Sequence, residues 1–354
     1  MESIKGRLHW IDVLKGLAMI CVILGHSIGF TDNPLNRMIL CFHMSLFYFA
    51  SGITFDASRY INYSSSLKAK LLNIVLPYLC FELMGIVLNL ILYIIDVPDI
   101  KYVPIYKSLI GIVFPDGGIG KNTVMGFWFV YDIIIINLIS LSVAFFRRKP
   151  GVVIPIVIYI ILMFCLNYDI CLRHVIGLSF FTLGIIFRRC FLKSRKSETL
   201  QDGRKLYLYI SVLLLLLLFK TSFLNEPVLL YKIQIGNIGL FYFNAIIGIV
   251  SLVALSIFIF KNQLLEYVGR NTLPILFSHF YLLRFFYMMA NLIFPSMKRE
   301  HGEFVWSESP YWIITFIIVM MLSCLFSVVV NKYFPSFIGK GKLRSVCSCF
   351  LLEK

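Results

Sequence analysis

Ionisable side chains lie inside the first apolar segment of the chain, where a simple membrane anchor would carry none. The stretch DVLKGLAMICVILGHS starts at Asp12, includes Lys15 and has His26 near its end. An α-helix turns about 100° and rises about 1.5 Å per residue, so Lys15 and His26 share a face about 16 Å apart along the axis. Asp12 precedes Lys15 by three residues and shares that face. Because imidazole exchanges protons near neutral pH, this stripe indicates proton-transfer chemistry at one end and a charged contact at the other.

The same three residues also have a structural interpretation. Asp12 and Lys15 can form an ion pair at a helix end, with the lysine stem along apolar surface and its charge in water. His26 can be a hydrogen-bonded residue between helices. An ionisable residue within the membrane is nevertheless a functional candidate by default. On these residues alone, both interpretations stay open.

Further apolar segments carry polar side chains of the same kind. They are His43, Glu82, Trp128, Asp132, His279 and Arg284. Taken singly, each is at least as compatible with a structural hydrogen bond as with chemistry. Taken together, the ionisable members predict a polar chamber, because lipid would penalise each of them unless it faced another polar group or water.

Transmembrane helices are the elements that must position these residues. Of the 354 residues, 59% are hydrophobic and only 14% are charged, whereas soluble domains are about one quarter charged. Windows of about 20 apolar residues predict ten spans, at 10–30, 37–56, 71–95, 126–146, 152–168, 172–190, 206–220, 238–260, 271–294 and 310–331. The first is too long for a cleavable signal peptide, lacks a small-residue cleavage site and is followed by further spans.

The expected fold class follows from the lipid that surrounds these spans. Backbone groups in lipid must be hydrogen-bonded within the protein, and the sequence lacks the alternation typical of a membrane barrel. We therefore predict an all-α, polytopic integral membrane helix bundle. It is expected to form a single domain over 1–354, with no appended soluble domain.

The net charge of +15 indicates membrane orientation and not nucleic-acid binding. With a cytoplasmic N-terminus, 22 of the 33 Lys and Arg residues fall in cytoplasmic segments and 9 in outer segments. The positive-inside rule then predicts that both termini are cytoplasmic, and the basic segments should attract anionic membrane lipid. The sequence contains no DNA- or RNA-binding motif, so nucleic acid is not an expected partner.

Cysteine usage predicts neither a disulfide framework nor a metal site. The count of 9 is odd, and most of the cysteines lie in predicted spans, where thiols behave as small apolar groups. Those in the spans are Cys21, Cys41, Cys80, Cys165 and Cys324. Cys347 and Cys349 form a Cys-x-Cys pair for which a reduced tail is expected, with a metal site or palmitoylation as the alternative.

The order of the motifs resembles the membrane-bound acyltransferase-3 family, and within it the fucose 4-O-acetylase-like branch. The family has a basic residue, ten residues and then His in the first span, here Lys15 and His26, with Lys where many members have Arg. The family's second motif has a pattern like Phe-His-Met-Pro-Leu-Phe-Phe…Ser-Gly. Phe42–Gly52 resembles this pattern, with Ser45 in place of Pro. The later segments LPY, FWFVYD and RNTLPILFSH follow in the family's order. The Arg-rich stretch before Pro-Tyr is thinner here and offers Lys68 and Lys70.

The resemblance implies an O-acyltransferase in a bacterial cell membrane. It would move an acyl group, usually acetyl, from cytoplasmic acetyl-CoA to a sugar hydroxyl of a surface polysaccharide or a lipid-linked glycan. His26 is expected to be the general base, or else a transient acyl carrier. Asp12 would pair with Lys15, and the CoA phosphates would be bound by Lys15, Lys68 and Lys70. The expected substrate-binding residues are His43, Glu82, Trp128, Asp132, His279 and Arg284.

A transporter or flippase for a lipid-linked sugar is the main alternative. It would also need a polar chamber, and His26 would then act as a proton relay. Internal symmetry and paired broken helices would favour it, and the sequence shows neither. A sensor or a purely structural membrane protein would leave the ionisable set unexplained.

Overall fold

Helices make up nearly all of the chain that the computed structural model describes. The described residues are 8–29, 33–56, 63–95, 102–114, 127–146, 154, 157, 158, 161, 164, 165, 168–192, 203–293, 299–300, 303–304 and 311–339. In chain order the α-helices are α1 His9–Ile28, α2 Pro34–Leu40, α3 His43–Thr54, α4 Tyr63–Lys70, α5 Leu76–Ile94, α6 Ile105–Val113, α7 Trp128–Phe145, α8 Tyr168–Phe187, α9 Arg204–Ser222, α10 Ile238–Ile259, α11 Gln263–Arg270, α12 Thr272–Ile293 and α13 Tyr311–Tyr333. The only two strands within the described ranges, Arg299–Glu300 and Glu303–Phe304, pair as a short antiparallel hairpin.

Several of these helices are long and apolar enough to cross a membrane, which confirms the prediction of a multi-pass helical protein. The described residues contain 7 such segments: His9–Ile28, Tyr63–Ile94, Trp128–Phe145, Asp169–Cys190, Arg204–Ser222, Ile238–Ile259 and Tyr311–Tyr333. Thr272–Phe286, within the predicted ninth span, is a shorter apolar helical stretch. The predicted fifth span, 152–168, lies largely outside the described residues. The count of ten spans and the cytoplasmic termini stay predictions.

The predicted second span, 37–56, differs from a single helix because it is divided into α2 and α3. The break falls at Cys41 and Phe42, where Phe42 leaves helical geometry with φ −138° and ψ −22°. The ring of Phe42 lies against Gly248 of α10, and a Cβ at Gly248 would overlap it. The contact with α10 therefore lies at the break between α2 and α3.

The chain divides into two compact units whose segments alternate along the sequence. The first unit comprises Met1–Phe55, Val175–Thr272 and Leu282–Leu322, and the second comprises Asp56–His174, Leu273–Tyr281 and Ser323–Lys354. The single domain expected from the sequence stays a prediction.

In the first unit, α1 packs closely against the short helix α11. Gly16 lies against the carbonyl oxygen of Leu265, and Gly269 lies against the carbonyl oxygen of Asp12. A side chain at either glycine would overlap the opposite backbone. These two contacts fix α11 beside the first turns of α1, where Asp12 and Lys15 lie.

Helices α3 and α8 make a similar close approach in the first unit. Gly52 of α3 faces the carbonyl oxygen of Phe181, and Gly184 of α8 faces the carbonyl oxygen of Phe49. Small residues at such positions let transmembrane helices approach closely. Gly52, the last residue of the motif Phe42–Gly52, thus has a packing role.

We expect Gly52→Ala to destabilise the protein by about 1–3 kcal/mol, because the added methyl group must push α3 away from α8. Thermal unfolding of the purified protein in detergent measures the effect. Gly239→Ala is the matched control, since Gly239 is exposed and its Cβ would meet only Asn237 Oδ1, at 3.2 Å. Equal unfolding midpoints for the two variants would contradict the packing role of Gly52.

An aromatic core holds the second unit together. Phe81 of α5 and Phe277 of α12 have ring centroids 4.9 Å apart, and Tyr78 stacks on Phe127 at 6.1 Å. The hydroxyl of Tyr78 donates to the carbonyl oxygen of Ile112 at 2.9 Å. These contacts place α5, α7 and residues 273–281 of α12 around one core.

Candidate functional site

The stripe predicted on the first span lies on one continuous helix. Because α1 runs without a break from His9 to Ile28, Lys15 and His26 share a face about three turns apart. Asp12, Lys15 and His26 are each half-buried, whereas Val22 and Ile23 are buried in the core of the first unit. The three side chains are thus neither enclosed in the apolar core nor fully exposed.

Asp12 is part of a charged cluster between α1 and α11. Arg270 Nε donates to Asp12 Oδ2 at 3.3 Å, and Arg270 Nη2 donates to Glu266 Oε2. His9 Nδ1 lies 3.0 Å from the same Glu266 oxygen. Arg270 is therefore a partner of Asp12 that the sequence did not identify, in addition to the predicted pairing with Lys15.

The neighbours of Glu266 in this cluster shift its pKa. Its side chain is only 4% exposed, and burial by itself acts to raise the pKa. The hydrogen bond and charge of His9, together with the charge of Arg270, outweigh burial and the charge of Asp12 and hold the pKa of Glu266 below its ordinary value. A buried carboxylate thus anchors Arg270 beside Asp12.

A second charged cluster surrounds Asp132 in the second unit. Asp132 is fully buried, and it accepts hydrogen bonds from Arg173 Nε at 2.7 Å and from Arg173 Nη2 at 3.2 Å. His174 Nε2 lies 3.0 Å from Asp132 Oδ1. The guanidinium of Arg173 lies over the ring of Trp128 at 4.6 Å, and the rings of Tyr131 and His174 are 6.0 Å apart. The predicted residues Trp128 and Asp132 are brought together here.

Arg173 and His174 are the residues of this cluster that sequence reasoning missed. They stand near the start of the predicted span 172–190, where charged residues normally flank a membrane helix. In the structure Arg173 lies within α8 and is only 2% exposed. The sequence would have indicated this ion pair if the Arg-His pair inside one apolar segment had been considered together with the acidic residue inside another.

Glu82 and His279 are also buried in the second unit. Glu82 is 1% exposed and His279 is fully buried. Glu82 follows Phe81 and His279 lies two residues after Phe277, so both stand beside the aromatic core. His279 Nδ1 lies 3.3 Å from the carbonyl oxygen of Ile275 in its own helix.

His43 and Arg284 belong to the first unit. His43 is 7% exposed, and its Nδ1 lies 2.9 Å from the carbonyl oxygen of Ile39, one turn earlier. This backbone contact favours a structural role for one of its two ring nitrogens. Arg284 differs from the other predicted residues because it is exposed on α12.

The two basic residues predicted before Pro77 lie on α4 of the second unit. Both Lys68 and Lys70 are half-buried. Lys70 Nζ donates to Asn137 Oδ1 at 2.7 Å, and Asn137 is 2% exposed. Lys70 thus already binds a buried side chain of α7, which weakens the expectation that it binds a phosphate.

The predicted residues therefore fall into separate sets within the two units. Asp12, Lys15, His26 and His43 lie in the first, and Glu82, Trp128, Asp132 and His279 lie in the second. One polar chamber that joins them stays a prediction. In the ranges that the structure describes, no three His, Cys, Asp or Glu side chains are grouped to hold a metal ion. Cys347 and Cys349 lie outside those ranges.

Comparison with known protein families gives one match that covers most of the chain. The acyltransferase-3 family model, described as an acyltransferase domain, matches residues 8–328. This region includes α1, both charged clusters and every predicted site residue. The match does not distinguish the fucose 4-O-acetylase-like branch, which stays a prediction. Comparisons with curated proteins and with solved structures gave no match.

Proposed function

Because the chain belongs to the acyltransferase-3 family and has several helices long enough to span a membrane, we propose that it is an integral membrane O-acetyltransferase. In this proposal the donor is cytoplasmic acetyl-CoA and the acceptor is a sugar hydroxyl of a surface polysaccharide or a lipid-linked glycan. The proposed location is a bacterial cell membrane. The observation that supports it most is the continuous helix α1, which carries Lys15 and His26 on one face.

We propose His26 as the general base. The neutral imidazole takes the proton of the sugar hydroxyl while the hydroxyl oxygen attacks the thioester carbonyl carbon. The carbon–sulfur bond then breaks, the acetyl group stays on the sugar oxygen and the proton passes to the CoA thiolate. Lys15 lies toward the other end of the same face, at a distance that the long pantetheine arm of CoA can span, and attracts the phosphates of the donor.

The acceptor-binding residues are proposed in the second unit. An aromatic ring beside an acidic and a basic group, as at Trp128, Asp132 and Arg173, is an arrangement suited to a polar ligand that also has apolar faces. Glu82 and His279 are further proposed contacts, since both are buried polar groups within apolar helices. We propose His279, Arg284 and His43 as the candidates for stabilising the oxyanion of the tetrahedral intermediate.

Transfer of labelled acetyl groups tests this function. Membranes that contain the protein, supplied with acetyl-CoA labelled in the acetyl group, should produce labelled glycan, and mass spectrometry should show the mass of one added acetyl group. Membranes with the His26→Ala variant serve as the control. Movement of an unmodified lipid-linked sugar across the membrane, without any labelled glycan, would contradict the transferase and favour the flippase.

A further inference from the structure

The short helix α6 turns an apolar face outward, although its residues lie between the predicted spans 71–95 and 126–146. Its buried face contains the small residues Ser108 and Gly111 together with Ile112. Large apolar side chains between 46% and 61% exposed cover the opposite face and the residues just before the helix: Tyr102, Ile105, Tyr106, Leu109 and Val113. A helix at the surface of a water-soluble domain has the reverse arrangement, with its apolar stripe toward the core. This pattern indicates an apolar medium outside α6.

Helix α6 runs antiparallel to α5, within the second unit. Near the end of α5, the ring centroids of Tyr93 and Tyr102 are 5.2 Å apart, and near its start the hydroxyl of Tyr78 donates to the carbonyl oxygen of Ile112 at 2.9 Å. The rise along α5 from Tyr78 to Tyr93 is about 22 Å. An extended chain from Tyr102 to Ile105 followed by helix to Ile112 covers about 20 Å. Because the two lengths agree, α6 lies along α5 and not across it.

The depth of α6 follows from the segment Tyr63–Ile94, which is long and apolar enough to cross a membrane. Its 32 residues rise about 48 Å, whereas the hydrocarbon core of a bilayer is about 30 Å thick. When the segment crosses, about 18 Å of it lies outside the core, at one end or divided between both. Tyr78 is about 24 Å from the Ile94 end and is inside the core for every such division. Since Ile112 bonds to Tyr78, the last turn of α6 is at hydrocarbon depth.

The polar groups of α6 are arranged as this depth requires. Lys107 is the one charged residue of α6 and is exposed. Side chains on a helix tilt toward its N-terminus, which for α6 is the end beside Tyr93 and hence nearer the membrane surface. A lysine at this position can extend its ammonium group to the interface, where tyrosines such as Tyr102 and Tyr106 are also favoured. Leu109 and Val113, which lie deeper, are purely apolar.

We propose that α6 is inserted in the bilayer beside α5 and that its outward face binds the acyl chains of membrane lipid. The 9 residues of α6 rise about 13 Å, less than half of the hydrocarbon core, so this helix by itself does not cross the membrane. Lipid is the partner that fits, because the exposed face of α5 at the same height is also apolar, at Val87 and Ile91. The inference goes beyond the proposed acetyl transfer and does not depend on it.

Fluorescence quenching in lipid nanodiscs tests the insertion of α6. The purified full-length protein would carry one fluorescent non-canonical amino acid, placed at Tyr106 or at Val113. Nitroxide groups on the lipid acyl chains should quench both probes, and aqueous iodide should quench neither. Nitroxides at two depths should place Val113 about 10 Å deeper than Tyr106, the rise of seven helical residues along α5.

Two further probe positions calibrate the measurement. Val87 is exposed on the candidate span that contains α5, so a probe there should be quenched by the lipid nitroxides. Glu226 is exposed between α9 and α10, so a probe there should be quenched by iodide. All the probe positions on α6 are exposed in the structure, so the labelled variants keep the buried contacts of α6. If a probe at Tyr106 or Val113 prevents folding, Leu109 provides an intermediate position, about 6 Å shallower than Val113.

Three results would overturn the inference. Equal depths for Tyr106 and Val113 would mean that α6 lies flat on the membrane surface. Quenching of both probes by iodide would mean that the outward face is in water. Quenching by neither agent would mean that protein covers this face, for example a second copy of the chain. A failure of labelled acetyl transfer would leave the result for α6 unchanged.

Discussion

Replacing His26 by alanine is expected to lower acetyl transfer by about 100- to 10,000-fold, the range that a positioned general base contributes. The expectation rests on the position of His26 on the continuous helix α1, on the face that also carries Lys15. Without the imidazole, the sugar hydroxyl would have to lose its proton to water. The initial rate of label transfer from acetyl-CoA to glycan, at saturating donor, is the quantity to measure.

Ser27→Ala is the matched control for His26→Ala. Ser27 is the next residue of α1, is fully buried and donates its hydroxyl to the carbonyl oxygen of Ile23 at 2.8 Å. Its replacement perturbs the same turn of the helix without removing the imidazole, so the transfer rate should stay close to that of the wild type. A wild-type rate in purified His26→Ala would remove His26 from the mechanism.

The same preparation distinguishes the two roles that the sequence left open for His26. A general base never forms a bond to the acetyl group, whereas an acyl carrier does. If His26 is the base, incubation with labelled acetyl-CoA without acceptor should leave the protein unlabelled. Label on the peptide that contains His26 would instead establish the carrier role.

Asp132→Asn is expected to destabilise the protein by about 3–5 kcal/mol, the cost of breaking a buried ion pair by removing one partner. Arg173 is 2% exposed and donates to Asp132 through two nitrogens. The substitution would remove this negative charge from beside a guanidinium that is buried in the second unit, and His174 would lose the same partner. Unfolding of the purified protein in detergent, followed by its intrinsic fluorescence, measures the change.

An apolar replacement of both partners provides the control for Asp132→Asn. Replacement of a whole buried ion pair by apolar side chains of similar volume is often neutral, so Asp132→Leu/Arg173→Met should be clearly more stable than Asp132→Asn. A double variant as unstable as the single one would contradict the ion-pair explanation. A stable double variant that no longer transfers acetyl to glycan would support acceptor binding by this cluster.

The sequence by itself determined that the protein is a multi-pass helical membrane protein. It also determined on which face of its own helix each polar residue lies. Lipid requires backbone hydrogen bonds to close within each segment, so apolar runs of sufficient length predict helices without knowledge of their neighbours. The helical period likewise places Lys15 and His26 on one face of α1, and Trp128 near Asp132 on α7, from spacing alone. The spacing between Lys15 and His26 depends on the same local order.

Only the tertiary structure decided which side chains meet across helices. Asp12 and Arg270 are 258 positions apart in the chain, and Asp132 and Arg173 are 41 apart. The break in the span 37–56 at Phe42 likewise coincides with a contact to Gly248 of α10. Periodicity and hydropathy act within one segment, whereas ion pairs and close backbone contacts depend on which helix is adjacent and at what height. Packing decides which helices are neighbours, here through the close contacts at Gly16 and Gly269. The residue pattern of a single segment does not contain this information.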